Sequence, residues 1–247
     1  MRELTELEKR LTAAERERSS ANVRPKDAAT LIIVDRSGPQ PKVLLGKRHH
    51  GHKFMPGKFV FPGGRLEPND RLMPTAAPLD PFTEKYLMKS MRRPSLGRAK
   101  GLALAAIRET FEETGLILGA PANGVAPAPE GPWADFAKTG FYPDLSSLHF
   151  IARAITPSRR PRRFDTRFFA VDASTIAHKV DNVVHPEAEL VELVWMPIAE
   201  ARSLDMPTIT GVVLQELQAR VAAGFGHDLP VPFYRMPRTV FYRELIS

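Results

Sequence analysis

Apolar residues along the chain fall into short runs that alternate with polar turns, and one longer stretch carries a helical period. Ala28 to Asp35 (AATLIIVD) reads as a buried strand, and Arg36 to Pro41 as the turn that follows. Lys42 to Arg48 (KVLLGKR) reads as a second strand, antiparallel to the first. Gly57 to Phe61 brings a third strand into the turn Pro62-Gly63-Gly64. Ser147 to Ile155 and Phe164 to Val171 read as strands, and Glu187 to Met196 alternates as a half-buried strand does. Pro197 to Ser203 starts a helix, and Pro207 to Ala223 is an amphipathic helix with Val213, Leu214 and Leu217 toward the core. The longer stretch, Gly101 to Leu118, places Leu104, Ile107 and Phe111 at i, i+3 and i+7, an apolar stripe. Gly115 ends that helix, and Leu116 to Leu118 begin another strand.

The remaining segments are polar or punctuated by proline. Arg2 to Arg18 carries alternating charges over a thin apolar stripe and predicts an N-terminal helical arm, solvated or contacting a partner and not part of the core, with residues 22–26 as linker. His49, His50 and His52 predict a polar loop, because no partner ligand lies at a helical or zinc-finger spacing. Arg71 to Lys100 holds Pro74, Pro78, Pro81 and Pro94, a short helix over Asp80 to Met91, and seven basic residues. It predicts either a solvated lid or a flap over an anionic substrate. Ala120 to Pro132 is a loop by composition, and the tail from Gly224 onward is expected to be irregular and to pack on another subunit. The expected division is an arm at residues 1–25, one α/β (α+β) domain at 26–223 and a tail at 224–247.

Composition narrows the chemistry. The 247 residues contain no cysteine, which excludes disulfides, thiolate catalysis and Cys-based zinc sites. No run approaches the roughly 18 apolar residues of a membrane span, and the N-terminus lacks an apolar signal region, so a cytoplasmic protein is expected. The formal charge of +7 attracts phosphate groups without choosing among their carriers.

The candidate chemistry lies on the long helix. Glu109, Glu112 and Glu113 fall at i, i+3 and i+4, so three carboxylates crowd one patch. Like charges at that spacing repel unless water or a cation relieves them, and oxygen-only ligands suit Mg²⁺ or Mn²⁺. A glutamate-rich face is by itself usually solvated surface. Its surroundings decide otherwise: Phe61-Pro62-Gly63-Gly64 lies upstream, then Glu67 and Asp70, then Arg108-Glu109-Thr110-Phe111-Glu112-Glu113-Thr114-Gly115-Leu116.

This arrangement resembles the Nudix box, a glycine followed after five residues by Glu and after seven more by an R-E-U-x-E-E-x-G-U run, with U apolar. Gly64 takes the first glycine position, and Arg108, Glu109, Glu112, Glu113, Gly115 and Leu116 fill the second half. Asp70 stands where the pattern has Glu, and Thr110 at an apolar position. Thirty-seven residues, 71–107, separate Asp70 from Arg108 where the pattern has seven. The surplus reads as a loop inserted in the box. A narrower resemblance, to the coenzyme A pyrophosphatases of that superfamily, runs through Leu44, Leu45, Arg48, Gly57 and Phe61 to Gly64; Gly46, His49 and Lys53 replace the usual Thr, Ser and Arg. The insertion and the RRFDTRFF run (162–169) are similar to the peroxisomal coenzyme A diphosphatase branch.

The resemblance implies a Nudix fold, a mixed β-sheet sandwiched between helices. It also implies Mg²⁺- or Mn²⁺-dependent hydrolysis of coenzyme A or acyl-CoA to 3′,5′-ADP and (acyl-)4′-phosphopantetheine. Metal ligands would be Glu109, Glu112, Glu113 and the Gly64 carbonyl. Glu112, Arg108 and Glu109 would be catalytic, with Arg108 one turn from Glu112 and positioned to hold its carboxylate. The general base is open between Glu112, Glu187 and Glu189. Arg48, Lys53, Arg65, Arg162, Arg163 and Arg167 are candidates for substrate phosphates, because guanidinium forks match phosphate oxygens. Two alternatives stay open: another nucleoside diphosphate derivative as substrate, such as a nucleotide sugar or dinucleotide, and a non-catalytic nucleotide- or RNA-binding module. Intact box glutamates argue against the second. The expected partner is a small diphosphate, not a membrane or nucleic acid, and homodimerisation, common in that superfamily, is the expected association.

Overall fold

A computed structural model describes residues 3–15, 19–52, 55–122 and 128–247. In chain order the helices are α1 (Glu6–Ala13), α2 (Pro81–Lys89), α3 (Leu96–Thr114), α4 (Pro132–Lys138), α5 (Ile198–Ala201) and α6 (Thr208–Ala222). The strands are β1 (Lys26–Asp35), β2 (Lys42–Arg48), β3 (Phe59–Val60), β4 (Gly63–Arg65), β5 (Leu116–Pro121), β6 (Phe141–Pro143), β7 (His149–Ile155), β8 (Phe164–Asp172), β9 (Ile176–Lys179), β10 (Leu190–Pro197), β11 (Val231–Arg235) and β12 (Tyr242–Ile246). Among the described residues the main sheet runs β10-β2-β1-β8-β7-β11-β12, with β3 on β2 and β4 on β1. The β1–β8 and β7–β11 pairs are parallel and the other pairs antiparallel, as β1–β2 is expected to be.

Strand alternation sorts β1 between two cores. Ala29, Leu31 and Ile33 face α3, whose Leu102, Leu104 and Ile107 are fully buried. Ile32 and Val34 face α6 and α1, meeting Val212, Val213, Leu217 and Leu11. The result is a mixed sheet between helical layers. Gly115 closes α3 at φ 74°, the left-handed conformation glycine adopts without a steric penalty, and its N–H donates to the Phe111 carbonyl (2.8 Å).

Four expectations are corrected here. The N-terminal arm is not a solvated helix. Thr5 and Glu8 form a reciprocal capping box, Leu11 enters the second core, and buried Glu8 accepts a hydrogen bond from the Arg243 N–H. The tail is not irregular: β11 and β12 form a hairpin added to this chain's own sheet beside β7. Its alternation is short and interrupted by Pro230, Pro232 and Pro237, which hid it. The 71–100 segment is neither lid nor flap. Met73, Leu79, Leu87 and Met91 sit in the α3-side core, and α2 packs on α3 and β7. The helix expected within it, Asp80 to Met91, is α2, capped by Asp80. Finally, α3 begins at Leu96, five residues ahead of Gly101, with Ser95 as its cap; α4 begins at Pro132, the last residue of the stretch read as loop.

The insertion is also tied down by a histidine stack. His149 and His227 lie ring on ring at 3.6 Å, and His227 Nδ1 is 3.0 Å from Thr83 Oγ1 of α2. Burial pushes His149 down to about 3, with His227, Arg220 and Arg36 adding repulsion; burial and Arg220 lower His227 too, against Asp80 and Asp228. A histidine held neutral in the fold takes up its proton near 6.5 once unfolded. Its stabilisation is therefore complete above pH 6.5 and is lost as pH falls toward 3. Thermal unfolding should show Tm dropping between pH 7 and pH 5, and His149→Phe, which keeps the stack, should flatten that slope. An equal slope in the variant would contradict this assignment.

Candidate active site

The two halves of the box meet despite the insertion between them. Asp70, fully buried at the end of a 3₁₀ turn (Pro68–Arg71), accepts from Arg108 Nε at 2.8 Å, Trp133 Nε1 at 2.9 Å and the Glu67 N–H at 2.7 Å. Arg108 also donates to the Arg65 carbonyl, Glu109 Oε1 and Glu112 Oε1, each at 2.9 Å. One guanidinium thus joins the glycine corner, the Asp70 turn and two helix carboxylates. The Arg108–Glu112 contact is the one helical spacing predicts. Trp133 was not legible as part of this site, since it lies on α4, 63 positions beyond Asp70.

The carboxylates are held under electrostatic pressure. Burial lifts Glu109 to about 7, although Arg108 opposes the rise. Burial also raises Glu112 against the pull of Arg108. Glu113, 6% exposed, is raised well above the usual range by burial and by Glu189 and Glu109, while Arg48 and the Gly63 N–H favour its charged form. Glu113 Oε2 is buried without a hydrogen-bond partner. At Gly64 the backbone approaches so closely that a Cβ there would fall 2.1 Å from Glu109 Oε1, so any side chain would displace that carboxylate.

These residues border a cavity of about 930 Å³, whose lining includes Glu109, Glu113, Gly63, Gly64, Glu67 and Glu189. Glu112 does not line it: it leans on Arg108 at the rim. Of the three candidate bases, Glu189 lines the cavity, paired with Arg48 at 2.8 Å, whereas Glu187 is exposed and lies outside the lining.

The predicted phosphate contacts divide. Arg48, Arg65 and Arg162 line the cavity. Arg167 does not reach it. Fully buried, it is ion-paired to Asp27 (2.9 Å) and Asp165 (3.1 Å), and Asp27 also takes Arg98. Arg163 likewise turns to structure, donating to the Thr156 carbonyl, Asn22 Oδ1 and the Val23 carbonyl. Asp27, Asn22 and Val23 lie 140 or more positions away, so a basic run looked like a phosphate surface when part of it is a buried network. Lys53 lies outside the described residues.

The donor chemistry fits a divalent cation: carboxylate and carbonyl oxygens, one of them without a partner, around a corner where Gly64 lets the Glu109 carboxylate lie against the backbone. Among the described residues no three His, Asp or Glu side chains are grouped so as to hold a metal ion, and Arg108 holds Glu109 and Glu112. No helix among those residues is long and apolar enough to cross a membrane.

Comparison with known proteins agrees with this architecture. No family model matches the chain. The crystal structure of a NUDIX hydrolase from Alicyclobacillus acidocaldarius superimposes with a TM-score of 0.61 at 26% identity, covering 84% of this chain and 97% of that one. The chain belongs to the Nudix superfamily. The relatives of this Nudix chain include two proteins named acyl-coenzyme A diphosphatase NUDT19. That of Gallus gallus is 27% identical over 236 residues, covering 71% of this chain and 62% of the relative. That of Homo sapiens is 30% identical over 210 residues, covering 65% and 54%. The Nudix chain thus spans less than two thirds of the length of either.

Proposed function

We propose that the chain is a metal-dependent diphosphatase that hydrolyses coenzyme A or acyl-CoA to 3′,5′-ADP and (acyl-)4′-phosphopantetheine. The observation that carries this reading is the junction itself, where Gly64 touches Glu109 and Arg108 bonds both halves of the box across the insertion. The similarity to acyl-coenzyme A diphosphatases supports the substrate class.

Glu109, Glu112, Glu113 and the Gly64 carbonyl would hold Mg²⁺ or Mn²⁺, which neutralises a bound diphosphate and acidifies a bound water. Holding it asks Glu109 and Glu112 to give up part of their contact with Arg108. Arg108 keeps the helix carboxylates and the glycine corner in register. Arg48, Arg65 and Arg162, among the cations lining the cavity, would approach the phosphate oxygens, Arg48 while also paired with Glu189. Glu189 is the base of this reading, since it faces the cavity beside Glu109 and Glu113. It takes the proton of a water whose oxygen bonds to phosphorus as the bridging P–O bond breaks, and a phosphate monoester leaves.

A diphosphate panel of coenzyme A, acyl-CoA, a nucleotide sugar and a dinucleotide, assayed with Mg²⁺ or Mn²⁺, tests the reading. Coenzyme A or its thioesters should be the best substrates, with products resolved by chromatography. Preferred turnover of a nucleotide sugar or dinucleotide would overturn the substrate class, and no turnover of any would overturn the activity. Because burial lifts Glu109 to about 7, a cation must displace its proton below that pH. The Glu109 proton alone should therefore make Mn²⁺ affinity rise roughly fivefold from pH 6 to 7, and the raised Glu113 should steepen that rise. A flat profile would contradict the ligand assignment.

A further inference from the structure

The cavity extends well past the carboxylates, and the register of the sheet defines its floor. Ala154 of β7 lies opposite Thr166 of β8, Thr166 opposite Ala28 of β1, and Ala28 opposite Arg65 of β4. Paired residues point to the same face, so these four form one row across the sheet. The next row of β1 and β8, Thr30 opposite Phe168, stands taller. Both rows line the cavity, so the small residues are the floor of a trench that starts at Arg65, beside Gly64 and Glu109. Three strand spacings make it about 14 Å long. Above it lie Leu11 and Ala14 of the N-terminal helix, with Ile209 and Phe241 beside them.

We infer that this trench holds the extended pantetheine arm of the substrate, roofed by α1. The inference rests on the coenzyme A reading. A narrow apolar channel continuous with the hydrolytic end fits a flexible chain attached to the diphosphate. The hydroxyls of Thr166 in this row and Thr30 in the next offer hydrogen bonds to the arm's amides. The flat, wide adenosine 3′-phosphate does not match a floor one small side chain across. The N-terminal helix is then a specificity element of the site.

The test fills the trench at two places, with Ala14→Trp at the exposed end of α1 and Thr166→Leu on the floor. Each product is measured as a competitive inhibitor of coenzyme A turnover. In both variants the Ki of 4′-phosphopantetheine should rise roughly tenfold or more while that of 3′,5′-ADP stays unchanged. A selective loss of 3′,5′-ADP affinity would place the nucleotide in the trench and overturn the inference, as would unchanged inhibition by both products. Ala14 is exposed, so its variant remains informative if Thr166→Leu fails to fold. Failure of the wild type to hydrolyse any CoA would sink the parent reading instead, a result distinct from either outcome.

Discussion

Glu109→Gln should lower kcat by about 10²- to 10⁴-fold while leaving Tm unchanged or slightly raised. The two effects come from one cause. Burial holds the Glu109 carboxylate up at about 7, so its charge is unfavourable in the fold without a cation. Glutamine keeps the shape and leaves an oxygen for Arg108, which retains Asp70 and Glu112 as charged partners. The folded-state value lies above the unfolded one. At high pH the carboxylate therefore subtracts from stability, and Glu109→Gln should gain most above pH 7. Steady-state kinetics beside thermal unfolding at pH 6 and 8 check this. A variant that loses activity only because Tm collapses would assign Glu109 to structure. A variant that keeps full activity would remove it from the chemistry.

The second large effect is on stability. Asp70→Ala should cost about 3–5 kcal/mol, because it strips a buried ion pair of one partner and leaves Arg108, 3% exposed, short of a counter-charge. In a chain of this size that lowers Tm by on the order of 10 °C. Trp133→Phe removes a single hydrogen bond to the same carboxylate and should cost only about 1–2 kcal/mol. Denaturant unfolding of both variants measures the difference. Similar losses in the two would mean that Asp70 acts through packing and not through Arg108. Activity should fall in Asp70→Ala even well below its Tm, since Arg108 is then free to lean further on Glu109 and Glu112.

Local pattern was a reliable guide wherever one face of an element meets one core. The run Leu31 to Val34 alternates between two cores, and Leu104 and Ile107 lie on the stripe that periodicity marked. Pattern failed where burial depends on a remote partner. Glu8 and Arg243 lie 235 positions apart, and the arm and the tail each looked unfinished because each completes the other's surroundings. Thr12 Oγ1 accepts the Phe241 N–H in the same way. The box insertion looked like solvent-facing loop because its apolar residues are spread between prolines. The structure gathers Met73, Leu79 and Leu87 under α3. Long insertions add little closure entropy, so the two halves of the box can meet across 37 residues once the insertion buries a face of its own. Of the candidate site, the acidic helix and the glycine corner were readable from spacing. The structural roles of Arg163 and Arg167 were not, because Val23 and Asp27 come beside them only in space.

The central claim is that the glycine corner and the helix carboxylates share a divalent cation. Mn²⁺ titration at pH 8, followed by the electron paramagnetic resonance of the free ion, tests it most directly in the wild type, Glu109→Gln and Glu113→Gln. The account predicts saturable binding by the wild type, weakened at least about tenfold in each variant while both stay folded. Binding of equal strength in all three, or none in the wild type, would contradict it.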